Sequence, residues 1–285
     1  MAKYKKRNKR IVAIVQARCN SYRLPNKIMK KFAGIPAIEI LYNRLILSKK
    51  IDNVVIATSR NRVNSKLINL CKNKKIDFFS GSENNVLKRY FETSKKFNAD
   101  IIVRITGDSI LIDHQLVDKV IDIFEKNKVD YASNCQPVTF PDGLDIEVFS
   151  KDCLNKTYKL AKNKYDKEHV TPLMRHSQKF KRINYKNDKD YSYIRWSLDQ
   201  EEDFQVIKLI LNHFNPSKYF SWKQILKLTE SNKKRFNKNI QIIRNEGARM
   251  SKTVKLWKRA RQIIPGGNML LSKRPELFQP GKWPA

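Results

Sequence analysis

Long apolar runs are missing from this 285-residue sequence. Nowhere do about eighteen apolar residues follow one another, the length a membrane-crossing helix requires, so no membrane span is expected. Cysteine is scarce as well. Cys19, Cys71, Cys135 and Cys153 form no Cys-x-x-Cys pair and stand at no metal-ligand spacing from the four histidines. That pattern argues against a zinc site and for reduced thiols in a cytoplasmic protein. Negative charge is also in short supply: 27 Asp and Glu face 59 Lys and Arg, a formal net charge of +32. Such a surplus invites a nucleic-acid partner. The cations are nevertheless scattered along every segment, with no arginine-rich stripe or reader motif, and Lys is enriched together with Asn and Ile. A solvated basic surface is therefore preferred, and nucleic acid is not expected as a partner. The opening MAKYKKRNKR looks like the charged start of a signal peptide, but the apolar run after it stops at Val15 and meets Gln16 and Arg18. It is too short for a signal core.

What the sequence does have is apolar content, 41% of residues, enough for a sizeable core and against disorder throughout. Strand character is found at 11–15, 53–58, 76–79, 100–106, 130–133, 144–149 and 193–198. Between the early runs lie helical spacings such as Ile38, Leu41, Leu45 and Val63, Leu67, Leu70. Strand and helix alternate at least four times in the first 130 residues. This predicts an α/β fold, a mostly parallel mixed sheet with helices on both faces, and a ligand site at the carboxyl ends of the strands. Helix starts are expected at Ser82 and Asp113, and helices near 151–162 and 202–214. The expected organisation is one domain over 1–230, a polar connector over 231–250 and a further segment over 251–285.

The stretch IVAIVQARCNSYRLPNKIMKKF, residues 11–32, runs from a buried strand into a loop crowded with Arg18, Arg23 and Lys27. Their spacing lets a curling loop point all three inward to hold phosphates, each ion contact contributing on the order of 1 kcal/mol in water and more in a dry cleft. A solvated loop in a Lys-rich chain explains the same spacing equally well. Asp108 in TGDSILID and Asp199 in RWSLDQEED each follow a strand and should project from the carboxyl edge. Carboxylates so placed suit Mg²⁺. Taken alone, turn formation and helix capping are the preferred explanation for both. Asp203 is expected to be a first-turn helix charge. His169 and His176, seven apart, are expected on one helical face, with His169 in a structural hydrogen bond or a sugar contact.

The run QARCNSYRLPNK resembles the signature Q/P-A-R-x-G-S-x-R-L-P-G-K of the cytidylyltransferases that make CMP-activated sugar acids. The spore-coat polysaccharide biosynthesis type fits best, with the acylneuraminate and 3-deoxy-manno-octulosonate enzymes as its relatives. The resemblance continues collinearly through GSENNVLKRY (81–90), VRITGDSILID (103–113), FPDGLDIEVFS (140–150), EHVTPLMRH (168–176) and RWSLDQEEDF (195–204). It implies a fold similar to the nucleotide-diphospho-sugar transferases. It further implies transfer of CMP from CTP to a sugar acid, with pyrophosphate released, for surface polysaccharide or glycan synthesis. By the same resemblance Arg18, Lys27 and Asp108 are catalytic, Arg18, Ser21, Arg23, Lys27, Ser82 and Glu83 bind the nucleotide, and Asp108 and Asp199 hold Mg²⁺. Asp142, Asp145, Glu147 and His169 fall on the acceptor side. A homodimer is allowed for. This chain departs from the signature at Asn20 and Asn26, where the family has Gly; Asn tolerates a left-handed backbone best among the other residues, so the loop is expected to keep its shape.

Two other functions compete: a metal-dependent glycosyltransferase using an NDP-sugar, which fits the phosphate loop less well, and a basic nucleic-acid binder. The tail SKTVKLWKRARQIIPGG resembles the start of glutamate-1-semialdehyde-type aminotransferases. The chain ends at Ala285 before any cofactor lysine, so no aminotransferase activity is expected from it.

Overall fold

The computed structural model describes residues 9–244, apart from 216 and 218, together with residue 259. The chain divides into two units, Met1–Ile240 and Gln241–Ala285. The aminotransferase-like stretch expected from 251 lies outside the described residues except for 259.

The first unit begins with β1 (Ile11–Gln16), β2 (Lys31–Phe32), β3 (Ile35–Pro36), α1 (Ala37–Leu45), β4 (Asn53–Ser59), α2 (Ser65–Asn73), β5 (Phe78–Gly81), α3 (Val86–Lys96), β6 (Ile101–Thr106) and α4 (His114–Asn127). It continues with β7 (Tyr131–Ser133), β8 (Glu147–Ser150), α5 (Lys151–Leu160), α6 (Lys164–His169), α7 (Pro172–His176), β9 (Arg182–Asn184), α8 (Glu201–Phe214), α9 (Trp222–Ser231) and α10 (Lys233–Phe236). Seven strands form one sheet in the order β5-β4-β1-β6-β8-β7-β9. Only β8 runs against its neighbours, pairing antiparallel with β6 and β7. This is the expected mixed, mostly parallel sheet, and its parallel strands end at a common edge.

Alternation along β1 shows why both faces are covered. Ile11, Ala13 and Val15 enter one core with Leu41, Leu67, Val117, Ile207 and Ile225; Val12 and Ile14 enter the other with Leu87, Leu154 and Met174. Each side chain of this size contributes about 1.5–3 kcal/mol on full burial, so a strand apolar on both faces is stable only between two helical layers.

Local signals were partly followed. Asp113 caps α4, accepting from the Gln115 and Leu116 N–H groups (2.8 and 3.0 Å), while its other oxygen accepts from Trp222 N–H (2.7 Å). Ser82, expected to cap the next helix, does not. Asn85 accepts from Lys88 N–H (2.8 Å) and starts α3, and the Ser82 hydroxyl accepts from Asn85 N–H one turn earlier (3.1 Å). The expected strand over 193–198 makes a single bridge, Asp142 to Arg195. Its remaining N–H groups go to loops: Trp196 donates to the Asp142 carbonyl (2.7 Å) and Leu198 to the Asp108 carbonyl (2.9 Å). The run expected as a connector from 231 belongs to the first unit as far as Ile240. Phe236 is buried, and Asn239 Nδ2 donates to the Arg195 carbonyl (3.0 Å) and to Asp203 (2.8 Å).

His169 and His176 do not share a helix. Val170 separates α6 from α7 at φ 69° and ψ −54°, and Thr171 N–H bonds back to the His169 carbonyl (2.8 Å). This is a γ-turn of the rarer, strained hand, at a β-branched residue that is fully buried.

Candidate active site

The loop after β1 is closed by backbone bonds before any side chain is considered. Ala17 N–H donates to the Ala57 carbonyl (3.1 Å) and Cys19 N–H to Asn64 Oδ1 (2.8 Å). The Cys19 carbonyl then accepts from both Ser21 N–H (2.9 Å) and Asn26 N–H (3.1 Å). One oxygen holding residues 21 and 26 draws the loop into a curl. Asn26 sits in the left-handed region at φ 54°, as expected for an Asn replacing Gly, whereas Asn20 is not among the residues with positive φ. The chain then enters a single 3₁₀ turn, Lys27–Met29, which fixes the start of the Lys27 side chain.

Asp108 reaches the same place from β6. Gly107 N–H donates to the Gln16 carbonyl (2.8 Å), and a Cβ on Gly107 would stand 3.0 Å from that oxygen, so glycine allows the two strand ends to close up. The Leu198 bond to the Asp108 carbonyl brings Asp199 alongside. Lys27 Nζ lies 2.9 Å from Asp108 Oδ2 and 3.0 Å from Asp199 Oδ1, and Arg23 Nη2 pairs with Asp199. Burial on its own would raise the Asp108 pKa. Lys27, the Thr106 hydroxyl and the Asp108 N–H outweigh it and hold the value down at about 2, so the group is a carboxylate at any ordinary pH. Burial would likewise depress Lys27, but Asp108 and Asp199 raise its pKa overall.

Four expected site residues, Arg23, Lys27, Asp108 and Asp199, are thus joined in one ion network. Arg18 is exposed at the mouth of the loop, and Ser21 is half-buried within it. Glu83 is held by Asn61 Nδ2 (3.0 Å), and the Ser82 carbonyl accepts from Arg89 Nη1 (3.0 Å). Burial first, and repulsion from Arg18 with it, lower the Arg89 pKa, which places Arg18 within electrostatic reach of this second loop.

Two of the acids expected on the acceptor side, Asp142 and Glu147, are engaged with arginines. Asp142 Oδ2 accepts from Arg195 Nη1 (2.6 Å), and Asp145 is half-buried beside it in sequence. Glu147 is buried: Oε2 pairs with Arg104, and Oε1 accepts from Tyr131 OH (2.6 Å) and from Arg175 Nη2 (2.7 Å) and Nε (3.0 Å). Burial pushes the Glu147 pKa up, but Arg175 and Arg104 together bring it down to about 2. His169 ends α6 with its ring 4.5 Å from that of Tyr165.

Sequence reasoning passed over the groups that organise the site. Asp203 stands in the first turn of α8, as expected, but it is fully buried. It accepts from Arg195 Nε (2.8 Å) and Nη2 (2.9 Å), from the Asp199 and Gln200 N–H groups (both 2.9 Å) and from Asn239 (2.8 Å), which fixes the backbone that carries Asp199. Arg104 was visible as a charge inside an apolar strand, a sign of a buried partner. In the sheet register Arg104, Glu147, Ser133 and Asn184 stand on one rung, and Arg104 Nη2 reaches Gln16 Oε1 (3.4 Å). A polar lane therefore crosses the sheet from the end of β1 to β9.

Among the described residues, no cluster of three or more His, Cys, Asp or Glu side chains could hold a metal by themselves, and no helix is long and apolar enough to cross a membrane. Two carboxylates therefore meet around one cation at the carboxyl edge of a mostly parallel sheet. The chain belongs to the cytidylyltransferase family, whose model matches residues 12–242. An uncharacterised protein of Methanocaldococcus jannaschii, MJ1063, is 37% identical over 209 residues, covering 72% of this chain and 85% of that protein. The spore coat polysaccharide biosynthesis protein SpsF of Bacillus subtilis is 29% identical over 208 residues, 70% of this chain and 85% of that one. Among solved structures, a cytidylyltransferase from Leptospira borgpetersenii serovar Hardjo-bovis is 33% identical, with a TM-score of 0.78 over 83% of this chain and 100% of that one.

Proposed function

We propose that this cytidylyltransferase transfers CMP from CTP to a sugar acid, for surface polysaccharide or glycan synthesis. The observation that carries the reading is the shared grip of Lys27 on Asp108 and Asp199, with Arg23 beside it. An acceptor hydroxyl attacks the α-phosphorus of CTP; a bond forms from that oxygen to phosphorus, its proton passes to solvent water, the bond to the oxygen bridging to the β-phosphorus breaks, and pyrophosphate leaves with that oxygen. Transfer of this kind needs alignment of attacking and leaving oxygens and compensation of developing charge more than covalent participation by the protein. Arg18, Arg23 and Lys27 hold the triphosphate and neutralise the leaving pyrophosphate. Ser21 lines the same loop, and the Ser82 to Glu83 loop borders the base and ribose.

The donor set fits Mg²⁺. Asp108 and Asp199 are hard oxygen donors, and Asp108 is ionised at neutral pH. Three loop cations against two carboxylates leave one net positive charge, too little for a triphosphate without a divalent ion. When bound, Mg²⁺ would polarise the α-phosphate. Asp108 and Asp199 are the residues that would hold it.

The test is pyrophosphate release from CTP and Mg²⁺ with a panel of sugar acids. Asp108→Ala is expected to lose turnover at least about a hundredfold, on the scale of other charge-stabilising groups. Full turnover in that variant refutes the metal assignment. Turnover of an NDP-sugar without pyrophosphate points to a glycosyltransferase instead.

A further inference from the structure

Three arginines among the described residues, Arg44, Arg89 and Arg195, are almost wholly buried, and one of them lacks the partners that burial calls for. Arg195 has the carboxylates of Asp142 and Asp203, and Arg44 donates to the carbonyls of Ile112, Leu111 and Phe220 (2.8, 3.4 and 2.9 Å). Arg89, near the start of α3, is 1% exposed and has a single acceptor for its whole guanidinium, the Ser82 carbonyl at 3.0 Å. Its Nε is buried without a partner, and among the described residues no carboxylate forms an ion pair with it. We propose that Arg89 is a buried charge of the triphosphate site, whose counter-charge is supplied by the phosphates of CTP; the inference rests on the CTP reading of the loop after β1.

An unpaired ion taken out of water is among the costliest groups a fold can bury. Stability alone would replace it with an apolar side chain. Geometry says where this charge is directed. The Arg89 stem packs against Gly81, the last residue of β5, where an added Cβ would stand 3.1 Å from Arg89 Cγ. From there the guanidinium reaches past the strand end to Ser82. Because β5 runs parallel with β4, and β4 with β1, this is the sheet edge that also carries the loop of Arg18, Arg23 and Lys27.

Neighbouring charges agree. Burial lowers the Arg89 pKa most, and repulsion from Arg18 adds to it. Two like charges at one edge, one exposed and one buried, make a field that an anion relieves. Glu83 pulls the other way, but its carboxylate is taken by Asn61 Nδ2 (3.0 and 3.2 Å) and does not pair with Arg89. An ion in the low-dielectric interior acts over several ångströms with several times its strength in water. Arg89 therefore needs no direct contact with a phosphate to draw the nucleotide in.

Arg89→Met and Arg89→Gln separate charge from structure, because Gln keeps a donor for the Ser82 carbonyl and neither keeps the cation. Isothermal titration of wild type and both variants with CMP, CDP and CTP, each with Mg²⁺, gives the affinity lost with the charge for each nucleotide. That loss should grow with every added phosphate and reach at least about tenfold for CTP, alike in the two variants. Without nucleotide, Arg89→Met should melt no lower than wild type, since a lone buried ion is exchanged for an apolar chain. A loss that stays flat from CMP to CTP, CTP binding restored by Gln alone, or a melt lowered in both variants makes Arg89 a brace for the Ser82 loop and overturns the charge assignment. A wild type that binds none of the three nucleotides overturns the CTP reading instead.

Discussion

Replacing Asp203 by Asn changes one buried atom and asks whether that carboxylate holds the site together. Five donors converge on it, two on Oδ1 and three on Oδ2. An amide offers only one acceptor oxygen. The less damaging orientation keeps oxygen at Oδ2 for Arg195 Nη2 and the Asp199 and Gln200 N–H groups. It then turns an NH₂ group toward Arg195 Nε and Asn239 Nδ2. Each buried donor left without an acceptor costs about 1–3 kcal/mol, and breaking a buried ion pair about 3–5 kcal/mol. Because Arg195 keeps Asp142 at 2.6 Å, the lower end applies, about 3 kcal/mol. With a urea slope near 3 kcal/mol per M, at the upper end of the usual range, the unfolding midpoint should fall by about 1 M. Urea denaturation followed by circular dichroism measures it. A loss below about 0.5 kcal/mol, within the scatter of ordinary surface substitutions, would refute the assignment of Asp203 as the anchor of the Asp199 backbone.

Gly143→Ala should destabilise by on the order of 2 kcal/mol or more. The residue has φ 99°, and a Cβ there would stand 2.7 Å from the Trp196 carbonyl carbon and oxygen, which are backbone atoms and cannot rotate aside; a thermal melt within 1 °C of wild type would contradict this. Acid should weaken the fold through Glu147. Its folded pKa of about 2 lies below its ordinary 4.5, so the stabilisation is complete above pH 4.5 and is lost as pH falls toward 2. The full loss is about 3 kcal/mol. Urea midpoints between pH 5 and pH 2 measure that limb, which Glu147→Gln should flatten.

The sheet was legible because its signals are local. The apolar runs that became β1, β4 and β6 are buried on both faces, and Asp113 caps its helix with side-chain atoms two and three residues from their targets. The cationic loop was legible as a motif, but the pairing of Lys27 with Asp108 and Asp199 spans 81 and 172 residues and has no local trace. The same holds for Asp203. Its first-turn position looks like an ordinary helix charge until Asn239, 36 residues on, is folded against it. The strand expected over 193–198 failed for a related reason: its alternation is real, but its partners are loops at the sheet edge and not another strand. Asp142 and Glu147 were noticed while the arginines that engage them, Arg104, Arg175 and Arg195, were not, since a Lys- and Arg-rich chain hides its few buried cations among many solvated ones.

The valine corner between α6 and α7 acts like a loaded spring. A β-branched residue held in that backbone region stores about 1–3 kcal/mol, which the packing of Val170 in the second core must oppose. Stiffness at this joint keeps α7 from swivelling, and with it the guanidinium that α7 carries. The direction of the Arg175 guanidinium is thus set twice, by the backbone of that corner and by the Glu147 carboxylate.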